Sequence, residues 1–189
     1  MLAGTSPFRA NGTIERIDCQ TQVDGWNGLD DLLLTISERG NHHTALSIKS
    51  NLQFTKVAAP TTLVRAAWEL LLHRSSEVMD EDLDGFGLIC VPHPDPPKVA
   101  IQSLLLKARW QTPAQLAERL FTSGYASPAE RSIHDSCACP DDLSEELQEY
   151  EKLPGRILKK MSVVELDFEH TDSSSEALAR FICSHLVQS

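Results

Sequence analysis

Positive charge is what this chain is short of. Seventeen Lys and Arg stand against 27 Asp and Glu in 189 residues, a formal net charge of −10. Phosphate backbones are gripped by Lys and Arg, so this balance argues against a surface built mainly to hold nucleic acid. It leaves room for a carboxylate-lined site neutralised by metal ions, or for a local basic groove. Long apolar runs are absent too: none approaches the ~20 residues that span a bilayer. The opening MLAGTSPFRANGT has neither a basic n-region nor an apolar h-region. We therefore expect no secretory signal, no membrane partner and a cytoplasmic protein. Cysteines are few and irregular: Cys19, Cys90, Cys137, Cys139 and Cys183. Cys137 and Cys139 do not form a C-x-x-C pair, and no second pair exists. We read all five as reduced thiols, Cys90 and Cys183 in the core, with a zinc site from His134, Cys137 and Cys139 as the minority alternative. No G-x-x-x-x-G-K-[ST] and no G-x-G-x-x-G occurs, so a phosphate-binding loop is missing.

An apolar fraction of 41% and a charged fraction of 23% fit one globular domain with a real core. Ile14 to Val23 alternates and predicts a strand. DGWNG is a turn, Leu29 to Ser37 a second strand, ERGNHH a hairpin turn holding His42 and His43 in solvent, and Thr44 to Lys49 a third strand. After Pro60, helical spacing of Leu63, Ala66, Ala67, Leu70 and Leu71 predicts a helix. MDEDLDG reads as a solvated acidic turn. Phe86 to Val91 is a short, wholly apolar run, which fits a buried strand parallel to the meander. Helices are expected over 99–110, 112–121, a short stretch capped by Ser127 with Pro128 at its first position, and 143–152. A strand over 162–170 and a final helix after Ser173 to Ser175 close the chain. Trp68, Trp110 and Leu104 to Leu106 are assigned to the core. The fold class is α/β, a mixed β-sheet with an antiparallel three-strand meander flanked by helices.

One constellation carries chemistry. Metal-dependent phosphodiester hydrolysis needs carboxylates to hold the ion, a polarised water and a cation near the phosphate. A frequent solution puts an acid at the start of one strand and an acid-x-Lys triplet on the next. Here Asp30 and Asp31 precede LLLTIS, and SIK holds Ser47 and Lys49, which share a strand face. Pairing around Gly40-Asn41 is expected to bring Asp31 opposite Lys49 or Ser50.

The stretches GLDDLLLTI, TALSIKSNLQFT, AAWELLL, DGFGLICV and LLLKARW…FTSGYAS resemble, over roughly residues 14–135, the nuclease-like domain at the N-terminus of bacterial antiphage and NACHT-type NTPases. That domain is similar to the restriction-endonuclease-fold, PD-(D/E)xK, double-stranded DNA endonucleases. The resemblance implies a restriction-endonuclease-like fold, Mg2+ as cofactor, double-stranded DNA as substrate and a sensor NTPase in the same polypeptide. A homo-oligomer is compatible with it. It assigns Asp31 and Asp30 as metal ligands and Lys49 as the catalytic lysine, with Ser47 in the remaining position of the triplet. We expect residues 1–189 to be a single nuclease-like domain, a fragment without the family's N-terminal helix and downstream NTPase.

Ser47 departs from the pattern, which has Glu or Gln there. A hydroxyl is a poor ligand for a hard divalent cation, and Glu15, Asp24 and Glu69 are the sequence candidates to supply a carboxylate instead. Two functions therefore stay open: an active Mg2+-dependent deoxyribonuclease, or a degenerate nuclease fold acting as a protein-interaction or oligomerisation module. The bland alternative is a lysine that blocks strand-edge aggregation beside a turn-forming acidic pair.

Overall fold

The computed structural model describes residues 13–19, 29, 31–37, 41–49, 54–72, 84–95, 97–145 and 147–165. Its strands are β1 (Thr13–Cys19), β2 (Leu32–Ser37), β3 (Asn41–Lys49), β4 (Gly85–Cys90) and β5 (Met161–Glu165). The helices are α1 (Thr61–Leu72), α2 (Pro97–Arg109), α3 (Pro113–Leu120), α4 (Pro128–Ser136), α5 (Asp141–Ser144) and α6 (Gly155–Lys160). The class is α/β. Two compact units divide the chain, one holding residues 1–51, 74–92 and 162–189, the other residues 52–73 and 93–161.

The first unit is a five-stranded mixed sheet in the order β1-β2-β3-β4-β5. β1, β2 and β3 form the expected antiparallel meander, and β4 joins β3 in parallel. Strand alternation sends Leu32, Leu34, Ile36, Leu46, Ile89 and Val164 into one cluster with Ile17. Ile14 packs against the same cluster although it lies three residues from Ile17. A register shift between Ile14 and Arg16 makes this geometrically allowed, since a bulge turns a three-residue spacing back to one face. The opposite alternation is also buried at Leu33, Ala45, Phe86 and Leu88. β4 is buried at every position, which is why its sequence is continuously apolar.

Two expectations about the meander need correction. β3 begins at Asn41, so His42 and His43 belong to the ladder, opposite Ile36 and Thr35, and His42 is buried. Leu32 faces Leu46, which sets Asp31 at the ladder's end beside Ser47 rather than opposite Lys49 or Ser50. The connection is confined to residues 38–40, shorter than the turn that ERGNHH suggests. The acidic stretch is not wholly solvated either: Asp84 is buried, and its Oδ1 accepts the His43 N–H at 2.5 Å.

The second unit is helical. Pro113 and Pro128 open α3 and α4, and both helices carry full capping boxes, Thr112 with Gln115 and Ser127 with Glu130. The Glu130 carboxylate is buried and pairs with the Lys107 ammonium at 2.5 Å, tying α4 to α2. The Trp68 indole, fully buried, donates to the Cys137 carbonyl. Trp110 and Leu106 were expected in the core; they are 82% and 55% exposed. Periodicity explains it: Val99, Leu106 and Trp110 lie on one side of α2 and its end, opposite the buried Ala100, Ile101, Leu104 and Ala108. The helix expected over 143–152 is only α5 followed by turns. Glu145 and Glu149 there would repel across one helical turn. α6 was not foreseen. The final helix and the strand beyond Glu165 fall outside the described residues, as do Val23 and Cys183.

β4 and β5 approach so closely that only glycine fits between them at one point. A Cβ on Gly87 would lie 2.5 Å from the Ser162 carbonyl oxygen and 3.0 Å from Leu46 Cδ2. Gly87→Ala should cost about 1–3 kcal/mol in denaturant unfolding. An unchanged midpoint would mean that the two strands are further apart than described.

Candidate functional site

The site grows out of the place where β2 stops and β3 does not. Ladder pairing between them ends at Leu32 and Leu46. β3 continues for three more residues, held on its other side by β4 through Ser47 with Leu88, Ile48 with Ile89 and Lys49 with Cys90. On the open side the Asp31 side chain takes the place of the missing strand. Its Oδ2 accepts the Ile48 N–H at 2.7 Å, the Ser47 hydroxyl at 3.0 Å and the Lys49 ammonium at 3.1 Å. Ser47 is buried, while the Asp31 and Lys49 side chains are 30% and 45% exposed.

Electrostatics follow from this geometry. Burial pushes the Asp31 carboxyl up, but the Ile48 amide, the Lys49 ammonium and the Ser47 hydroxyl together hold it below its ordinary value of 3.8. Each donor favours the charged form. The carboxylate is therefore ionised at neutral pH and salt-linked to its own chain.

Sequence reasoning placed Cys90 in the core, where it is, but foresaw neither its place beside Lys49 nor Glu165. Cys90 stands in register with Lys49, and Glu165 in β5 is close enough to act on it electrostatically. Burial first, then the Glu165 charge, push the Cys90 thiol up to about 12. It is protonated at neutral pH, which leaves it a poor nucleophile. The alternation of VVE in β5 was the available signal for Glu165, but it fixes no partner strand. Glu15, one of the sequence candidates for a missing acid, is exposed in β1.

Fit to a divalent cation can be judged from these donors. Mg2+ takes a near-octahedral oxygen shell and is usually held by one or two carboxylates, with waters and substrate phosphates. Among the described residues, Asp31 is the one carboxylate hydrogen-bonded into this cluster, and one of its oxygens already receives three donors. The neighbouring Lys49 ammonium adds repulsion. Among the described residues, no three or more His, Cys, Asp or Glu side chains are grouped to hold a metal. The described residues do not fit Mg2+. Asp30 and Asp24 lie outside the described residues. The same finding bears on His134, Cys137 and Cys139: the Cys137 thiol is buried and pushed up to about 12, chiefly by that burial, and His134 Nδ1 lies 3.0 Å from Asp135 Oδ1.

The helical unit holds a groove of about 500 Å3 lined by Trp110, Gln111, Gln115, Glu118, Arg119 and Thr122. No helix among the described residues is long and apolar enough to cross a membrane. No protein-family model, curated protein or solved structure matches the chain.

Removal of Asp31 should cost more than removal of Lys49. Lys49→Ala deletes one half-exposed ion pair, worth within about 1 kcal/mol. Asp31→Ala leaves the Ile48 amide and the Ser47 hydroxyl without their charged acceptor, at about 1.5–3 kcal/mol. A carboxyl whose folded pKa is depressed stabilises fully above its unfolded value and loses that contribution as pH falls through the folded one. The Tm gap between wild type and Asp31→Ala should be constant from pH 6 to 8 and close below about pH 4. A gap that persists unchanged at pH 3 contradicts the ionised, triply bonded carboxylate.

Proposed function

We propose that this chain is a restriction-endonuclease-like domain, of the kind carried by bacterial antiphage and NACHT-type NTPases, whose nuclease site is degenerate. It acts as a protein-interaction or oligomerisation module and does not cut DNA. One observation carries this reading: the Asp31 carboxylate is spent on Ser47, Ile48 and Lys49, with a serine where the triplet would have its second acid. The surrounding order supports the nuclease ancestry. An acid stands at the entrance of β2, an x-Lys pair ends β3, and β4 follows in parallel after a helix. The net charge of −10 favours a role that does not depend on gripping a phosphate backbone.

A second reading is a Mg2+-dependent DNA endonuclease, an effector switched on by its NTPase. The specific observation in its favour is that Asp31 and Lys49 do meet, at 3.1 Å. Metal ligation would then require Asp31 to exchange its internal donors for the ion, with Asp30 as its neighbour.

Incubation of the full chain with supercoiled plasmid and Mg2+ or Mn2+ separates the two. We expect no nicking above that of Lys49→Ala, and no rise in Tm on adding Mg2+. Plasmid cutting that Lys49→Ala abolishes would establish the endonuclease and end the degenerate reading. Ser47→Glu puts a carboxylate two residues before the lysine. It should create a Mg2+-dependent rise in Tm that wild type lacks.

A further inference from the structure

The groove of the helical unit sets one aromatic ring, Trp110, among five polar side chains, in about 500 Å3 of space. That volume is ordinary for a small-molecule site. Trp110 is 82% exposed, so its large apolar faces serve no core. Its position is nevertheless fixed. Its N–H bonds the Lys107 carbonyl where α2 ends, and two residues later Thr112 caps α3. The indole therefore stands at the joint between two helices.

α3 continues the groove with polar groups. Gln111, Gln115, Glu118 and Thr122 recur at helical spacing, on the side away from the buried Leu116 and Leu120. A solvated helix face would have the same spacing, but its side chains would be loose. Here several are held. Gln115 Oε1 accepts the Thr112 N–H at 3.1 Å in the capping box. Gln111 Nε2 donates to the Tyr125 hydroxyl, and the Arg119 guanidinium lies 5.6 Å from the centre of the Tyr125 ring. Gln111 Oε1 is buried with no hydrogen-bond partner, an unmet acceptor of the kind a bound hydroxyl satisfies.

The chemistry of the set narrows the ligand. Glu118 and Arg119 cancel in charge, so the groove selects neither an anion nor a cation. One ring is a platform, whereas a quaternary ammonium is recognised by a cage of several. A nucleobase is held between apolar or aromatic groups on both faces, and the groove offers one. What it does offer is an apolar plane beside donors from Gln, Arg and Thr and acceptors from Gln, Glu and Thr. A sugar ring has these two aspects: a face of C–H groups and a rim of hydroxyls that both donate and accept.

We infer that this groove binds a neutral saccharide, one pyranose ring stacked on Trp110 and its hydroxyls bonded by Gln111, Gln115, Glu118 and Arg119. Among the described residues, Glu118 is the one carboxylate lining it. Glycoside hydrolysis uses a pair, so the site binds without cleaving. It lies wholly in the helical unit and owes nothing to the nuclease reading. The competing occupant is a second copy of the chain, because Val99 and Leu106 extend the exposed apolar surface along α2. That occupant would leave the polar side chains of α3 without a use.

The test titrates the full chain with neutral trisaccharides of glucose (α- and β-linked), N-acetylglucosamine, mannose, galactose and xylose. Adenosine and tetramethylammonium are the controls, and saturation-transfer NMR is the readout. At least one trisaccharide should bind saturably below about 10 mM. Trp110→Ala should weaken it at least about tenfold, and Trp110→Phe, which keeps a ring, by less. Glu118→Gln should also weaken it, and it carries the test should Trp110→Ala fail to fold. Leu106→Ala should leave binding unchanged. Saturation by none of the sugars would overturn the inference, as would tighter binding of adenosine or tetramethylammonium. A concentration-dependent dimer that both Leu106→Ala and Trp110→Ala dissolve would assign the surface to a second copy and overturn it too.

Discussion

Everything distinctive about this protein depends on one carboxylate oxygen. β3 is longer than β2, and the backbone donor it leaves unpaired at Ile48 must find an acceptor. Asp31 Oδ2 supplies it and in doing so draws in the Ser47 hydroxyl and the Lys49 ammonium. A strand-length mismatch is thereby converted into a charged, half-exposed corner. Asp84 meets the same need at the opposite end of β3, through the His43 amide, and stays buried. The comparison separates two roles that an acid at a strand entrance can have. Capping the ladder requires only the amide. Collecting a lysine and a serine on the same oxygen goes beyond capping.

The rest of the strand unit keeps that corner in place. Gly87 lets β4 lie against β5 at Ser162, and β4 in turn fixes the last three residues of β3. A hydrogen-bonded, doubly buried β4 is a rigid support, so the donors of the corner are pre-organised before anything binds. The helical unit is organised separately around the buried Lys107–Glu130 pair. Burial raises the Glu130 carboxyl, but Lys107, the Ser127 amide and neighbouring hydroxyls outweigh it and keep the group ionised. Such a pair, satisfied on all sides, specifies how α2 and α4 meet more than it adds net stability.

Much of this was legible in the sequence, for identifiable reasons. The meander, the parallel β4 and the capped α3 and α4 were all marked by alternation, a continuous apolar run, or a Ser/Thr-Pro start. The joining of Asp31, Ser47 and Lys49 was also readable, because strand periodicity fixes which residues share a face. Register was not. It depends on where a hairpin begins, and the paired histidines looked like turn residues while they in fact carry ladder bonds. Trp110 misled because a large aromatic on an amphipathic helix resembles core until its angular position is known. Glu165 was invisible because only the sheet order brings the end of β5 beside Cys90.

The most direct test of the central claim is an NMR titration of the Ile48 amide in the full chain, first against pH and then against MgCl2. The Ile48 resonance should shift with a midpoint below the ordinary carboxylate value of about 3.9, together with that of Lys49, and should not move when Mg2+ is added at neutral pH. A midpoint at or above that value, or a saturable shift with Mg2+ that Asp31→Asn removes, would mean that Asp31 is available to a metal and that the corner is a nuclease site after all.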